Sequence, residues 1–166
     1  MRPRLLLFCG IPGSGKTTIA AIVSEKLSRA VLVQTDDVRA MIAHPKYIGE
    51  ESRFVYGAAV EIAGQALRYR YDAILEGTFP REEFRMEALS ALSRFSASQL
   101  VVYVTCDPEL ALQRNAARKE AVPEETVIRI YQNFEAPRNA VSLDTGRLEP
   151  ADAAMQVLSI LEQQTL

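Results

Sequence analysis

Five short runs of the chain, at 5–9, 31–34, 73–75, 100–105 and 140–143, are apolar at nearly every position. Continuous rather than alternating hydrophobicity is the pattern of strands covered on both faces. Between the runs the period lengthens. Ile19, Ala20, Ile22, Val23 and Leu27 recur at helical spacing, and Val55, Ala59, Ile62, Ala66 and Tyr69 form one stripe of a second helix beginning near Ser52. Asp107-Pro108 opens another helix, Val122-Pro123 breaks it before a new one, and Glu149-Pro150 precedes a last helix over 151–162. Between the second and third runs an insertion holds a short helix from about Val38 and a polar loop at 44–49, which includes His44, Tyr47 and Ile48. Strands alternating with helices predict an α/β fold of three layers: a five-stranded parallel sheet with helices on both faces. In such sheets ligands bind beyond the carboxyl ends of the strands, so the residues that follow each run are where chemistry is expected.

Composition adds limits. At 166 residues the expectation is one domain covering 1–166. A hydrophobic share of 48% with 24% charged residues is that of an ordinary globular chain. No apolar run reaches membrane-spanning length, and Met1-Arg2-Pro3-Arg4 leads directly into the first strand, so no membrane partner and a cytoplasmic location are expected. Cys9 and Cys106 each end an apolar run and read as buried small hydrophobes rather than a disulfide. With one histidine, His44, in a polar loop and no Cys-x-x-Cys, no zinc site is expected. The net charge of −2 supplies no global attraction for a polyanion.

Gly10-Ile11-Pro12-Gly13-Ser14-Gly15-Lys16-Thr17 follows the first strand and opens the first helix. It is the phosphate-cradling pattern G-x-x-x-x-G-K-[ST] in its required context. The glycines let backbone N–H groups converge on the β- and γ-phosphates, Lys16 adds positive charge, and the Thr17 hydroxyl is a ligand for Mg²⁺. These residues point to a nucleoside triphosphate.

The other strand ends carry the candidate chemistry. After the second, Asp36 is placed to accept the proton of an attacking hydroxyl and Asp37 to cap the following helix, although capping alone would explain a Thr-Asp-Asp run. Arg39, three residues on, shares a side with Asp36 and suits an anionic group of an acceptor or an ion pair with Asp36. After the third, Glu76 reads either as a carboxylate orienting Mg²⁺ through water or as one bonded to a neighbouring backbone turn. After the fourth, Arg114 and Arg118 lie four apart on one helical face. They suit a short helical lid over about 114–124 that brings charge to a transferring phosphoryl group, or else a solvated basic face.

Taken together, the loop through Thr18, the run Asp36-Asp37-Val38-Arg39-Ala40-Met41-Ile42-Ala43-His44, and Gln113-Arg114-Asn115-Ala116-Ala117-Arg118 with Ala121-Val122-Pro123 resemble a family. It is that of the small P-loop kinases, which includes the kinase domain of phage-type polynucleotide 5′-hydroxyl kinases and relatives acting on aminoacyl-tRNA and small molecules. Phe134-Glu135-Ala136-Pro137 is similar to the tRNA-directed members. The resemblance implies ATP and Mg²⁺ as cofactors, Gly10, Gly13, Ser14, Gly15, Lys16, Thr17 and Thr18 around the phosphates, and Asp36 as general base. It further implies that Arg39 contacts an acceptor phosphate, that Arg118 reaches the transferring phosphoryl, and that Arg114 and the loop Asp144-Thr145-Gly146-Arg147 lie near adenine. Glu76-Gly77 stands where the polynucleotide kinases carry an Asp-containing run.

The expected activity is therefore in-line transfer of the γ-phosphate of ATP to a hydroxyl-bearing acceptor. Two acceptors stay open: a polynucleotide 5′ end, gripped by Arg39 with Arg68, Arg70, Arg81 or Arg85, and a small molecule such as a nucleoside, sugar or antibiotic. The insertion from Arg39 to Tyr71 is the segment expected to choose between them. A nucleotide-dependent switch is the rival from another class, against which Asp36 argues. No Asn-Lys-x-Asp occurs, which argues against a guanine reader.

Overall fold

The computed structural model describes residues 2–46, 48–119 and 121–163. Its elements run β1 (Arg4–Cys9), α1 (Lys16–Lys26), β2 (Ala30–Gln34), α2 (Thr35–Ala40), α3 (Gly49–Arg68), β3 (Asp72–Glu76), α4 (Glu82–Ser93), β4 (Ser98–Thr105), α5 (Pro108–Ala116), α6 (Glu124–Gln132), β5 (Val141–Asp144) and α7 (Pro150–Gln163). All strand pairs are parallel, in the order β2-β3-β1-β4-β5. The fold is the expected three-layer α/β arrangement.

Alternate residues of β1 explain the layers. Leu5, Leu7 and Cys9 pack with α3 and α4 through Val55, Ala59, Ala63, Leu67, Ala88 and Leu92. Leu6 and Phe8 face the other way, onto Ile19, Ala20 and Val23 of α1 and Ala153, Val157 and Leu161 of α7. Both faces of β1 are thus dry, which is why its sequence shows no alternation. Both cysteines are free and buried. Among the described residues no helix is long and apolar enough to cross a membrane.

The order of the sheet positions the site. From β1 the chain crosses to β2, returns through β3, then passes to β4 and β5 on the other side, so the loop after β1 lies where the order reverses. The opposite end of the sheet is tied by Asp72, whose carboxylate accepts from the Arg4 backbone N–H at 2.8 Å and from Arg4 Nε at 3.1 Å.

Several expectations need correcting. The helix after β2 begins at Thr35 rather than near Val38, with Gln34 as its N-cap and no side-chain capping bond. Asp37 therefore sits inside the first turn and is not the cap. Helix α3 begins three residues before Ser52, and its buried face is Val55, Ala59, Ala63, Ala66 and Leu67; Ile62 and Tyr69 are solvent-exposed. A face bearing several alanines is easily missed, because larger apolar residues dominate a periodicity. Of the 44–49 loop, Tyr47 lies outside the described residues, as does Glu120 of the 114–124 lid and Met1 of the leading segment.

Candidate active site

The loop between β1 and α1 is shaped by what lies behind it. At Gly13, φ is +83° and a Cβ would stand 2.1 Å from the Ala111 carbonyl oxygen of α5. At Gly10 a Cβ would stand equally close, 2.1 Å, to the Val104 carbonyl oxygen of β4. Neither backbone oxygen can move without breaking its element, so only glycine fits. The loop delivers Lys16 to a buried position, where Nζ donates to the Ile11 carbonyl at 3.3 Å and lies 3.8 Å from Glu76 Oε1. Glu76, at the end of β3, is also met by Gln34 Nε2 at 3.4 Å and by the Thr17 hydroxyl. Burial pushes its carboxyl above the usual carboxylate range, against the opposing pull of Lys16. Of the two readings of Glu76, the backbone-turn one is not what the side chain does: it faces Lys16 and Thr17. Ser14 is fully buried and its hydroxyl has no partner, while its carbonyl accepts from Thr145 Oγ1 at 2.7 Å. It contributes backbone to the loop rather than a side chain to the cavity.

Two cavities meet at this loop. The larger, about 460 Å³, is bounded by Gly13, Gly15, Thr17 and Thr18 on one side and by Arg114, Thr145 and the 148–150 segment on the other. Arg114 is held there by two bonds to Thr145, Nη1 to the hydroxyl at 2.8 Å and Nη2 to the carbonyl at 3.1 Å. Arg147, expected near the same place, is almost fully exposed, pairs with Asp144 at 3.4 Å, and does not line the cavity. It sits in a turn whose backbone directs Thr145 inward instead.

The smaller cavity, about 140 Å³, is lined by Asp36 and Arg39 of α2, Ser52 and Tyr56 of α3, and Thr126 and Arg129 of α6. Lys16 and Arg118 line both cavities, so the two spaces touch at these cations. Arg118 Nη2 is 3.3 Å from Asp36 Oδ2. Asp36 thus pairs with the lid rather than with Arg39. The Arg39 guanidinium is buried, paired with Glu51 through Nη1 and donating to Ser52 Oγ at 3.3 Å through Nη2. Tyr56 stacks on Phe79 with ring centroids 4.5 Å apart, and burial raises its hydroxyl to about 12, so it is neutral at any working pH.

The lid is built by local sequence, but α5 ends at Ala116, so Arg118 lies in the turn beyond it and does not share a helical face with Arg114 as expected. Asp107 caps α5 by accepting from the Glu109 N–H at 2.9 Å. The buried Asn115 closes the turn before α6 by donating to the Val122 carbonyl at 2.7 Å and accepting from the Val122 N–H at 3.2 Å. Asn115 and Thr145 lie inside runs that the family resemblance covers, but no role of their own was expected, and Tyr56, Ser52 and Arg129 carry no sequence motif that marks them. One signal was available for the last: Thr126, Arg129 and Ile130 share a face of the helix after Pro123.

The basic residues expected to grip a polynucleotide are scattered. Arg85 is buried, donating to the Phe79 carbonyl at 2.7 Å and the Glu135 carbonyl at 2.6 Å and pairing with Glu82, so it holds loops together. It helps hold Phe79 in a left-handed backbone conformation, φ 41°, that is costly for a non-glycine residue, between Thr78 and Pro80 of the smaller cavity. Arg68 and Arg70 lie just before β3 begins, at the end of the sheet opposite the cavities. Arg81 is exposed and lines neither cavity. The cysteines offer no chemistry: burial drives the Cys9 thiol to about 12 and raises that of Cys106.

Comparison with known proteins shows the family. Residues 5–137 match the AAA domain family, and the chain belongs to it. The L-seryl-tRNA(Sec) kinase of Methanococcus maripaludis is 20% identical over 98% of this chain and 68% of its own length. The adenylate kinase of Sulfurovum sp. is 35% identical over 74% of this chain and 70% of its own length. Among solved structures, the Mycobacterium tuberculosis APS kinase in complex with AMPPNP and APS superposes with a TM-score of 0.75 at 17% identity, covering 97% of this chain and 98% of that one. A gluconokinase from Sinorhizobium meliloti gives 0.73 at 13% identity, with 99% of each chain covered. The resemblance to the small P-loop kinases holds, and the chain is a kinase of that kind.

Proposed function

We propose that this P-loop kinase of the AAA domain family transfers the γ-phosphoryl group of ATP to a hydroxyl of a small polar molecule. The observation that carries the reading is the meeting of two cavities at Lys16 and Arg118, with a carboxylate, Asp36, lining the smaller of them. A donor in the larger cavity and an acceptor in the smaller would present their reacting atoms at one point, as in-line transfer requires. Asp36 favours a hydroxyl over a phosphate acceptor, since a hydroxyl has a proton to lose and a phosphate would be repelled by the carboxylate.

In this reading the acceptor oxygen attacks the γ-phosphorus, the bond to the β–γ bridging oxygen breaks, ADP departs, and the hydroxyl proton passes to Asp36. Lys16 balances charge on the transferring group. Arg118 holds Asp36 until phosphates compete for the guanidinium; its release both stabilises the phosphoryl and frees the carboxylate oxygen. Arg114 and Thr145 wall the adenine side, with Thr18. The donors around Thr17 fit Mg²⁺: a hydroxyl and the buried Glu76 carboxylate, whose charge one lysine at 3.8 Å does not fully offset. When bound, Mg²⁺ supplies further positive charge to the phosphates.

The size of the smaller cavity and the placement of Arg68, Arg70, Arg81 and Arg85 away from it support a small acceptor over a polynucleotide. The polynucleotide reading keeps one support, the likeness to a tRNA-directed kinase. Labelled ATP offered to oligonucleotides, tRNA and a panel of hydroxylated metabolites decides between them. Label should appear on a small molecule with no steep salt dependence; transfer to RNA that weakens sharply as salt rises would reverse the choice.

A further inference from the structure

Among the described residues, four cations line the smaller cavity, Lys16, Arg39, Arg118 and Arg129, against one carboxylate, Asp36. Three of the four are already answered. Lys16 and Arg118 also border the larger cavity, where phosphates would meet them, and Lys16 faces Glu76 as well. Arg39 is met inside the protein: both its terminal nitrogens are engaged on α3, by Glu51 and Ser52, and the second Glu51 oxygen accepts from the Lys46 N–H at 2.7 Å. Arg129 differs. Among the described residues no carboxylate lies within 4.0 Å of its guanidinium, not even Glu125 one helical turn before it. It borders the cavity from α6, opposite Asp36 on α2, with the Thr126 hydroxyl beside it on the same helical face.

Resting on the kinase reading, we infer that the acceptor carries an anionic group as well as its hydroxyl, and that Arg129 rather than Arg39 receives that group. The substrate class is a small hydroxylated carboxylate or phosphate monoester, its hydroxyl at Asp36 and its anion at the α6 wall. A guanidinium with unused donors suits either anion, since both offer paired oxygens to its fork. Arg129 is exposed, so water meets its charge when no ligand is bound; an acceptor anion would replace that water with paired oxygens, which a neutral sugar or nucleoside cannot do. Arg39, in contrast, is a positioning residue that fixes α2, and with it Asp36, against α3.

The test uses the full chain saturated with Mg²⁺ and a non-hydrolysable ATP analogue, so that the phosphate loop is filled. Inorganic phosphate and three matched probes, glycerol, glycerate and glycerol 3-phosphate, are titrated calorimetrically into wild type, Arg129→Ala and Arg129→Lys. The two organic anions and phosphate should bind and glycerol should not. Arg129→Ala should weaken anion binding about tenfold or more, with Arg129→Lys recovering part of it and analogue affinity unchanged. The stronger of glycerate and glycerol 3-phosphate identifies the anion. Equal binding of glycerol, absence of anion binding, or anion binding indifferent to Arg129 would each overturn the inference while leaving the kinase reading intact. Failure of the ATP analogue itself to bind would overturn both.

Discussion

The phosphate-loop side of the larger cavity owes its shape to backbone, with glycines seated against the carbonyls of Val104 and Ala111. The smaller cavity owes its shape to side chains contributed by α2, α3 and α6 together with the loop after β3. A triphosphate is the same in every reaction that uses it, so its cradle can be one contiguous segment of main chain. An acceptor differs from enzyme to enzyme, and side chains drawn from several elements can be exchanged without disturbing the cradle. The two cavities are thus separable in principle, except at Lys16 and Arg118, which belong to both.

That separation can be broken or sharpened by substitution. The largest effect is expected at a shared residue: Lys16→Ala should lower turnover by about 10³-fold or more, with weakened Mg·ATP binding measured by calorimetry. Near-normal activity would remove the kinase mechanism altogether. Asp36→Asn should cost on the order of 10²- to 10³-fold in kcat while leaving ATP affinity within about twofold, because it lies on the acceptor side alone. An equal loss of ATP binding would mean the cavities are coupled through the Arg118 pair more tightly than the geometry requires.

Arg39→Ala should act through the fold, taking the guanidinium away from Glu51, which keeps its contact with the Lys46 N–H, and costing about 3 kcal/mol in urea denaturation. Replacing both partners by apolar residues of similar size should restore most of that stability. Loss of acceptor use with unchanged stability would instead make Arg39 a binding residue.

Glu76→Gln tests the buried carboxylate that faces Lys16 and Thr17. The folded-state value of this carboxyl lies above the ordinary 4.5. The folded protein therefore holds the proton longer than the unfolded chain, and stability falls as pH rises past about 4.5. The variant escapes that cost: nucleotide-free, it should melt a few degrees higher, on the order of 3 °C, at pH 7, with the advantage gone near pH 4. Its Mg²⁺-dependent turnover should fall at the same time. A variant less stable at pH 7 would show that the Lys16 contact outweighs burial. The smallest effect is expected for Asp37→Asn, within about threefold in kcat, because Asp37 neither caps the helix nor lines a cavity.

What the sequence determined by itself was whatever depends on neighbours along the chain. The five strands were legible because burial on both faces leaves a continuous apolar run, the phosphate loop because its backbone geometry demands glycine at fixed spacing, and the starts of the two lid helices because Asp107-Pro108 and Val122-Pro123 precede their first turns, although α5 ends at Ala116, well before Val122-Pro123. The alanine-lined face of α3 and the start of α2 were not, since small residues carry little periodic signal and no capping side chain marks the boundary. Tertiary structure alone decided the pairings: Arg118 with Asp36 across 82 positions, Arg114 with Thr145 across 31, and Arg39 with Glu51 rather than Asp36. It also withdrew Arg85 into the interior and set Arg68 and Arg70 at the far end of the sheet. A charged side chain reads alike in sequence whether it faces ligand, solvent or a buried partner. Only the packing of distant elements, which fixes what stands opposite it, distinguishes these fates.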